Sequence, residues 1–131
     1  MVSEIVHSNR APAPIGPYSQ AILAGNELFC SGQIPLDPAS GEIVGNDAAA
    51  QARQVLANLQ AVLTAANFSA EDVVKTTIYL IDIADFAAVN AEYERVFGAS
   101  KPARSTVAVA ALPRGARVEI DAIAKRGSST K

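Results

Sequence analysis

Between Asp47 and Ala66 the residues Ala52, Val55, Leu56, Leu59, Val62, Leu63 and Ala66 recur at steps of three and four, the signature of a helix with one buried stripe. Asp47 suits its N-terminal end, where a carboxylate meets unpaired amides and the positive end of the helix dipole, and Asn67 suits the stop. A second helix is expected from about Asp85 to Phe97, closed by Gly98, with Phe86, Val89, Asn90, Tyr93, Val96 and Phe97 on its stripe. Asn90 is the odd member. An amide on a buried face must find partners, so it clamps a neighbouring backbone or faces a polar pocket. The other patterned stretches read as strands: Glu4 to Ser8, Tyr18 to Ala24, Glu27 to Gln33, Val73 to Ile81, Ala103 to Leu112 and Arg117 to Ala124. Two helices among six strands imply an α+β domain, one mixed sheet with both helices packed on one face.

That arrangement leaves a sheet face over. Val73 to Ile81 carries apolar residues on both sides, as a central strand does. The chain offers nothing more to cover the second face, so self-association is the expected answer.

The connections are informative as well. Pro12, Pro14 and Pro17 forbid helix and force Ala11 to Tyr18 into an extended path. A linker would lead to a second domain, yet only one short strand precedes it; a stiff loop delivering Tyr18 to a fixed place fits better. Gly25-Asn26 marks a hairpin between the second and third strands, and Gly32 permits close approach of a backbone or ligand at the end of the third.

At 131 residues the chain is long enough for one domain, residues 1–131, and its polar tail from Arg126 to Lys131 is expected to be disordered. A net charge of -2 argues against a partner held by a basic surface, so nucleic acid is not expected. The single cysteine, Cys30, excludes an intrachain disulfide and fits a reducing compartment. Met1-Val2-Ser3-Glu4 opens no signal peptide, and no apolar run reaches membrane-spanning length; the expectation is a soluble cytoplasmic protein without membrane partners.

Common catalytic patterns fail one after another. One histidine and one cysteine make no metal site, and His7 is the sole candidate for a nucleophile-activating triad. No phosphate-cradling glycine loop occurs, and nothing around Lys75 or Lys101 would lower a lysine pKa. What remains is a sparse polar set: Tyr18, Ser31 with the Gly32 amide, Asn90, Arg104, Thr106 and Glu119. Alternation along the fifth strand puts Arg104 and Thr106 on one face, with Ser105, Val107 and Val109 on the other. An arginine there ordinarily reaches into water, but its planar fork also matches a carboxylate bidentately. If the last two strands formed a hairpin about Pro113 to Ala116, Glu119 would lie opposite Ala110, about 20 Å along the strand from Arg104. The two share a site only if the strands pair otherwise or a second chain contributes.

These residues lie in stretches with a familiar order. Ala13-Pro14-Ile15-Gly16-Pro17-Tyr18-Ser19-Gln20, Ser31-Gly32-Gln33-Ile34-Pro35, Val73-Val74-Lys75-Thr76-Thr77, Val89-Asn90, Pro102-Ala103-Arg104-Ser105-Thr106-Val107 and Val118-Glu119-Ile120 resemble the RidA (YjgF) family of enamine and imine deaminases. The resemblance runs nearly end to end. It implies a chorismate-mutase-like fold assembled as a homotrimer, with sheets inside, helices outside and sites in clefts between subunits. It also implies hydrolysis of 2-enamine and 2-imine acids, such as 2-iminobutanoate and 2-iminopropanoate, to 2-oxo acids and ammonia, which protects pyridoxal-phosphate enzymes.

Carried over residue by residue, the resemblance makes Arg104, Glu119 and Tyr18 catalytic. It assigns substrate binding to Arg104, Ser31, Gly32, Asn90 and Thr106, with no metal and no cofactor. Thr106 stands where many members carry cysteine, which argues against thiol chemistry there. Two other classes remain open: a carboxylate-binding, regulatory or chaperone-like protein on the same fold, and action on RNA. The acidic balance weighs against the second.

Overall fold

The computed structural model describes residues 3–127. Six strands, β1 (Ser3–Val6), β2 (Ala21–Ala24), β3 (Glu27–Gln33), β4 (Val73–Leu80), β5 (Ala103–Ala108) and β6 (Val118–Lys125), form one sheet in the order β1-β2-β3-β6-β4-β5. Helix α1 (Ala48–Ala65) connects β3 to β4, and α2 (Phe86–Phe97) connects β4 to β5. Every pairing is antiparallel except β4 with β5, whose parallel run needs the α2 crossover. The last strand is slotted between β3 and β4, so β5 and β6 do not form a hairpin.

Alternation decides what each face carries. Leu28 and Cys30 of β3, Ile78 and Leu80 of β4, and Val118, Ile120, Ala122 and Ala124 of β6 are all buried beneath the helices. They meet Val55, Leu59, Val62 and Leu63 of α1 and Val89, Tyr93 and Phe97 of α2 in one core. Asp47 caps α1, its carboxylate accepting from the Ala50 amide at 2.8 Å, and Asn67 ends it at φ 63, a left-handed conformation asparagine tolerates. Among the described residues no helix covers the opposite face. Across it Ile5, Ile22, Phe29 and Ile123 stand in register on adjacent strands, with Ile5 75% and Phe29 42% exposed.

Several boundaries differ from the expectation. The first strand ends at Val6 because the Ser8 amide turns away to donate to the Gln20 side chain at 2.6 Å. The second starts at Ala21, since Tyr18 to Gln20 still belong to the proline-stiffened loop. The fifth stops at Ala108 rather than Leu112, because its only neighbour among the described residues, β4, ends at Leu80 opposite that residue. Phe86 leaves the α2 stripe and is 37% exposed. Arg126 is held in place, its ring-stacked guanidinium 4.2 Å from the Phe68 centroid and donating to the Ala66 and Asn67 carbonyls. The rest of the expected disordered tail, 128–131, lies outside the described residues.

Candidate active site

The predicted residues fall into two groups, one on each face of the sheet. Arg104 is the second residue of β5, in register with Thr76 of β4, and so projects on the helix-covered side. Its Nη1 donates to Asn90 Oδ1 at 2.6 Å. Its guanidinium carbon lies 4.9 Å from the Tyr93 ring centroid and 5.5 Å from that of Phe86. Tyr93 is itself tied down by a 2.6 Å hydroxyl contact with buried Thr76. Arg104 therefore has a fixed amide on one side and aromatic faces beneath, while most of its five donors stay free for a ligand. The group opens into a cavity of about 470 Å³ whose lining includes Asn90, Tyr93, Lys101 and Arg104 and also the carboxylate-bearing Glu94. Asn90 clamps no backbone: it holds the arginine. Thr106, two residues along β5, has a buried hydroxyl with no hydrogen-bond partner.

The second group is built from the proline-rich loop and the ends of β3 and β6. Tyr18 is half-exposed and lines a smaller cavity of about 230 Å³ together with Pro12, Ile15, Gly32, Pro113 and Arg114. The Ser31 hydroxyl donates to the Ser19 carbonyl at 2.6 Å, so it holds the backbone beside Tyr18. Gly32 lies under the Glu119 side chain: a methyl group there would stand 2.8 Å from Glu119 Cδ. Only glycine lets the carboxylate pack so closely on this strand.

Glu119 is half-buried, and its carboxyl is pushed above the ordinary value, first by burial and then by neighbouring Asp121. Asp121 accepts from the Thr77 amide at 3.2 Å and the Tyr79 hydroxyl at 3.0 Å. Among the described residues Glu119 has no such donors, so it is the carboxylate of the pair that suits proton transfer.

Gln20 is a functional support that the residue pattern alone did not single out. Its side chain is 1% exposed; it accepts from the Ser8 amide and donates to the Ser8, Ala11 and Pro12 carbonyls. Its own carbonyl accepts from the Ser31 amide at 2.9 Å. One residue thus locks the Tyr18 loop to the strand that ends in Gly32. The signal was a lone amide behind a proline-rich run, whose partners lie eight to twelve residues away.

Within one chain the two groups do not meet. Arg104 pairs across to Thr76, whereas Glu119 pairs with Tyr79 and points to the uncovered face. They stand about 10 Å apart along the strands and about 10 Å across two strand spacings, on opposite sides of the sheet. Cys30 takes no part: it is buried, and desolvation with a smaller effect of Asp121 pushes its thiol up to about 12. Among the described residues no group of His, Cys, Asp and Glu could hold a metal ion, and no helix is long and apolar enough to cross a membrane.

A family model described as Endoribonuclease L-PSP matches residues 8–126. The chain belongs to the YjgF/RidA family. Its members include the 2-iminobutanoate/2-iminopropanoate deaminase of Bos taurus, 48% identical over 130 residues that cover 99% of this chain and 95% of the bovine protein. The crystal structure of the E. coli YjgF gene product matches with a TM-score of 0.90 at 47% identity, covering 95% of this chain and 99% of that one. E. coli TdcF with bound serine matches with a TM-score of 0.90 at 42% identity, covering the same shares of the two chains. The YjgF/RidA fold is thus the six-stranded mixed sheet with two helices described above.

Proposed function

We propose that this protein hydrolyses 2-imine and 2-enamine acids, such as 2-iminobutanoate and 2-iminopropanoate, to 2-oxo acids and ammonia. Its sites would lie between copies of a homotrimer with a chorismate-mutase-like arrangement. The observation that carries this reading is the division of the site: a carboxylate-gripping half at Arg104, Asn90 and Thr106, and an acid-base half at Tyr18, Gly32 and Glu119, separated by the sheet. Two halves that cannot meet in one chain meet readily when the uncovered apolar face is buried against another copy. The name of the bovine relative supports the chemistry, and the serine bound to TdcF supports recognition of a small carboxylate.

In this mechanism Arg104 grips the substrate carboxylate through two charge-assisted hydrogen bonds. Backbone groups at Gly32 and Thr106 hold the imine in register, and Tyr18 closes the pocket. Glu119 of a neighbouring copy takes a proton from water as its oxygen bonds to the carbon of the protonated imine, and hands that proton to the nitrogen of the resulting aminoalcohol; the carbon–nitrogen bond then breaks as the hydroxyl proton passes to Glu119 and on to solvent, leaving the 2-oxo acid and ammonia. A protonated imine is already electrophilic, so positioning supplies much of the acceleration and no cofactor enters. The role in the cell would be removal of reactive imines released by pyridoxal-phosphate enzymes in the cytoplasm. The reading of RNA as substrate gains no support from the uncovered face, where Glu119 and Asp121 would repel phosphates.

The test is ammonia release from freshly generated 2-iminobutanoate, with wild type beside Arg104→Ala and Arg104→Lys. Loss of charge-assisted bonds of this kind is worth about 1.5–3 kcal/mol each, so kcat/KM should fall about 100-fold or more in the alanine variant. Lysine keeps the charge without the fork and should recover only part. Arg104 is on an exposed edge, so the fold should persist. Equal rates in wild type and Arg104→Ala would overturn the assignment, and a wild type that binds 2-oxobutanoate without releasing ammonia would point to a binding protein.

A further inference from the structure

The cavity beside Tyr18 contains a feature that the proposed reaction does not use. Its walls are largely apolar, formed by Pro12, Ile15, Ile34, Leu36 and Pro113, and its one charged lining residue is Arg114. Arg114 sits in the tight turn between Pro113 and Gly115 at φ 60, a conformation that non-glycine residues adopt rarely. The ion pairs and side-chain hydrogen bonds among the described residues do not include its guanidinium. Arg117, three residues on, is by contrast paired with Asp85 at 3.2 Å. Arg114 is exposed in the single chain and lines a largely apolar cavity, so an anion seated there meets a cation with no competing partner among the described residues.

We infer that Arg114 is a specificity-determining residue that favours 2-imino acids carrying a second, distal carboxylate over those ending in a plain alkyl chain. The inference rests on the proposed reaction, in which Arg104 of one copy takes the α-carboxylate and the reactive carbon stands by Gly32 and Glu119 of another. Whatever extends beyond that carbon enters the cavity lined by Tyr18 and ends near Arg114. About 230 Å³ is the room of several water molecules, enough for a short chain with a charged end. A distal carboxylate would pair there bidentately, whereas an alkyl terminus leaves the guanidinium to water.

The experiment compares wild type with Arg114→Gln and Arg114→Lys on two imines generated in the assay by an amino-acid oxidase, 2-iminoglutarate and 2-iminobutanoate. The ratio of their kcat/KM values is expected to fall at least about tenfold in Arg114→Gln and to recover in part in Arg114→Lys. Calorimetric affinities for the stable products, 2-oxoglutarate and 2-oxobutanoate, should shift by the same ratio. An unchanged ratio in Arg114→Gln, or equal losses on both compounds, overturns the inference. If the wild type hydrolyses neither imine, the reading of the reaction fails by itself, and the product-affinity ratio still decides what Arg114 does.

Discussion

Arg104 and Glu119 stand on opposite faces of one sheet, two strands apart, with Thr76 and Tyr79 of β4 between them. The cause is topological. Slotting β6 between β3 and β4 puts β5 at the edge, and alternation then sends Arg104 toward the helices and Glu119 toward the open face. Each residue is supported where it stands, Arg104 by Asn90 and two aromatic rings, Glu119 by the bare Cα of Gly32. Each group is therefore held in place by its own surroundings, and the proposed site requires a second copy to bring the two together.

Glu119 makes stability depend on pH in a particular sense. Its carboxyl is raised by burial and by Asp121, so the folded chain holds that proton more tightly than the unfolded chain does. Its contribution is fully present below the ordinary carboxylate value and is lost as pH rises through the raised one. Glu119→Gln removes the ionising group, so its thermal midpoint should exceed that of wild type at neutral pH, with the gap closing near pH 4, about where a free glutamate titrates. A gap that ignores pH, or one that widens in acid, contradicts the assignment. In the same account the acid limb of kcat/KM lies above the ordinary glutamate range, because the base must be ionised.

Gly32→Ala tests the close packing at the end of β3. The added methyl meets the Glu119 carboxyl group, the movable end of a side chain, so the fold should survive while the carboxylate swings away. A displacement of about 1 Å in a catalytic group costs about 100-fold in rate, and kcat should drop on that scale. Retained activity would mean that Glu119 does not work from this position.

Cys30 should be silent. With its thiol pushed up to about 12 and its side chain under α1, native protein should resist alkylation at pH 8 and label only when denaturant is added. Rapid labelling of folded protein would show that β3 opens far more readily than its packing indicates.

How much of this could be read from residue order depends on the range of the interaction. The α1 stripe and its Asp47 cap are local, periodic and visible without coordinates, as is the pairing of Arg104 with Thr106 on one face. Which face the helices cover at β5 is not local, because it turns on β6 entering the sheet from the far end of the chain. The Asn90 amide was evident as an anomaly on an apolar stripe, but its partner, Arg104, lies fourteen residues away across a turn. Phe86 misled for the same reason: a helical stripe shows which residues share a face, and here the edge of that face packs against a guanidinium instead of the core. The order of motifs carries the family resemblance, and only the strand order puts Arg104 and Glu119 on opposite faces of the sheet.

In the proposed site, Arg104 comes from one copy and Glu119 from another. Arg104→Ala and Glu119→Gln proteins, each inactive on 2-iminobutanoate, are unfolded together, refolded as a mixture, and assayed beside each refolded alone. Random assortment in a closed ring of identical chains restores about a quarter of the sites to an intact pair, so the mixture should recover about a quarter of wild-type activity. No recovery above the separate variants, in a mixture shown by mass to contain hybrid oligomers, contradicts the account.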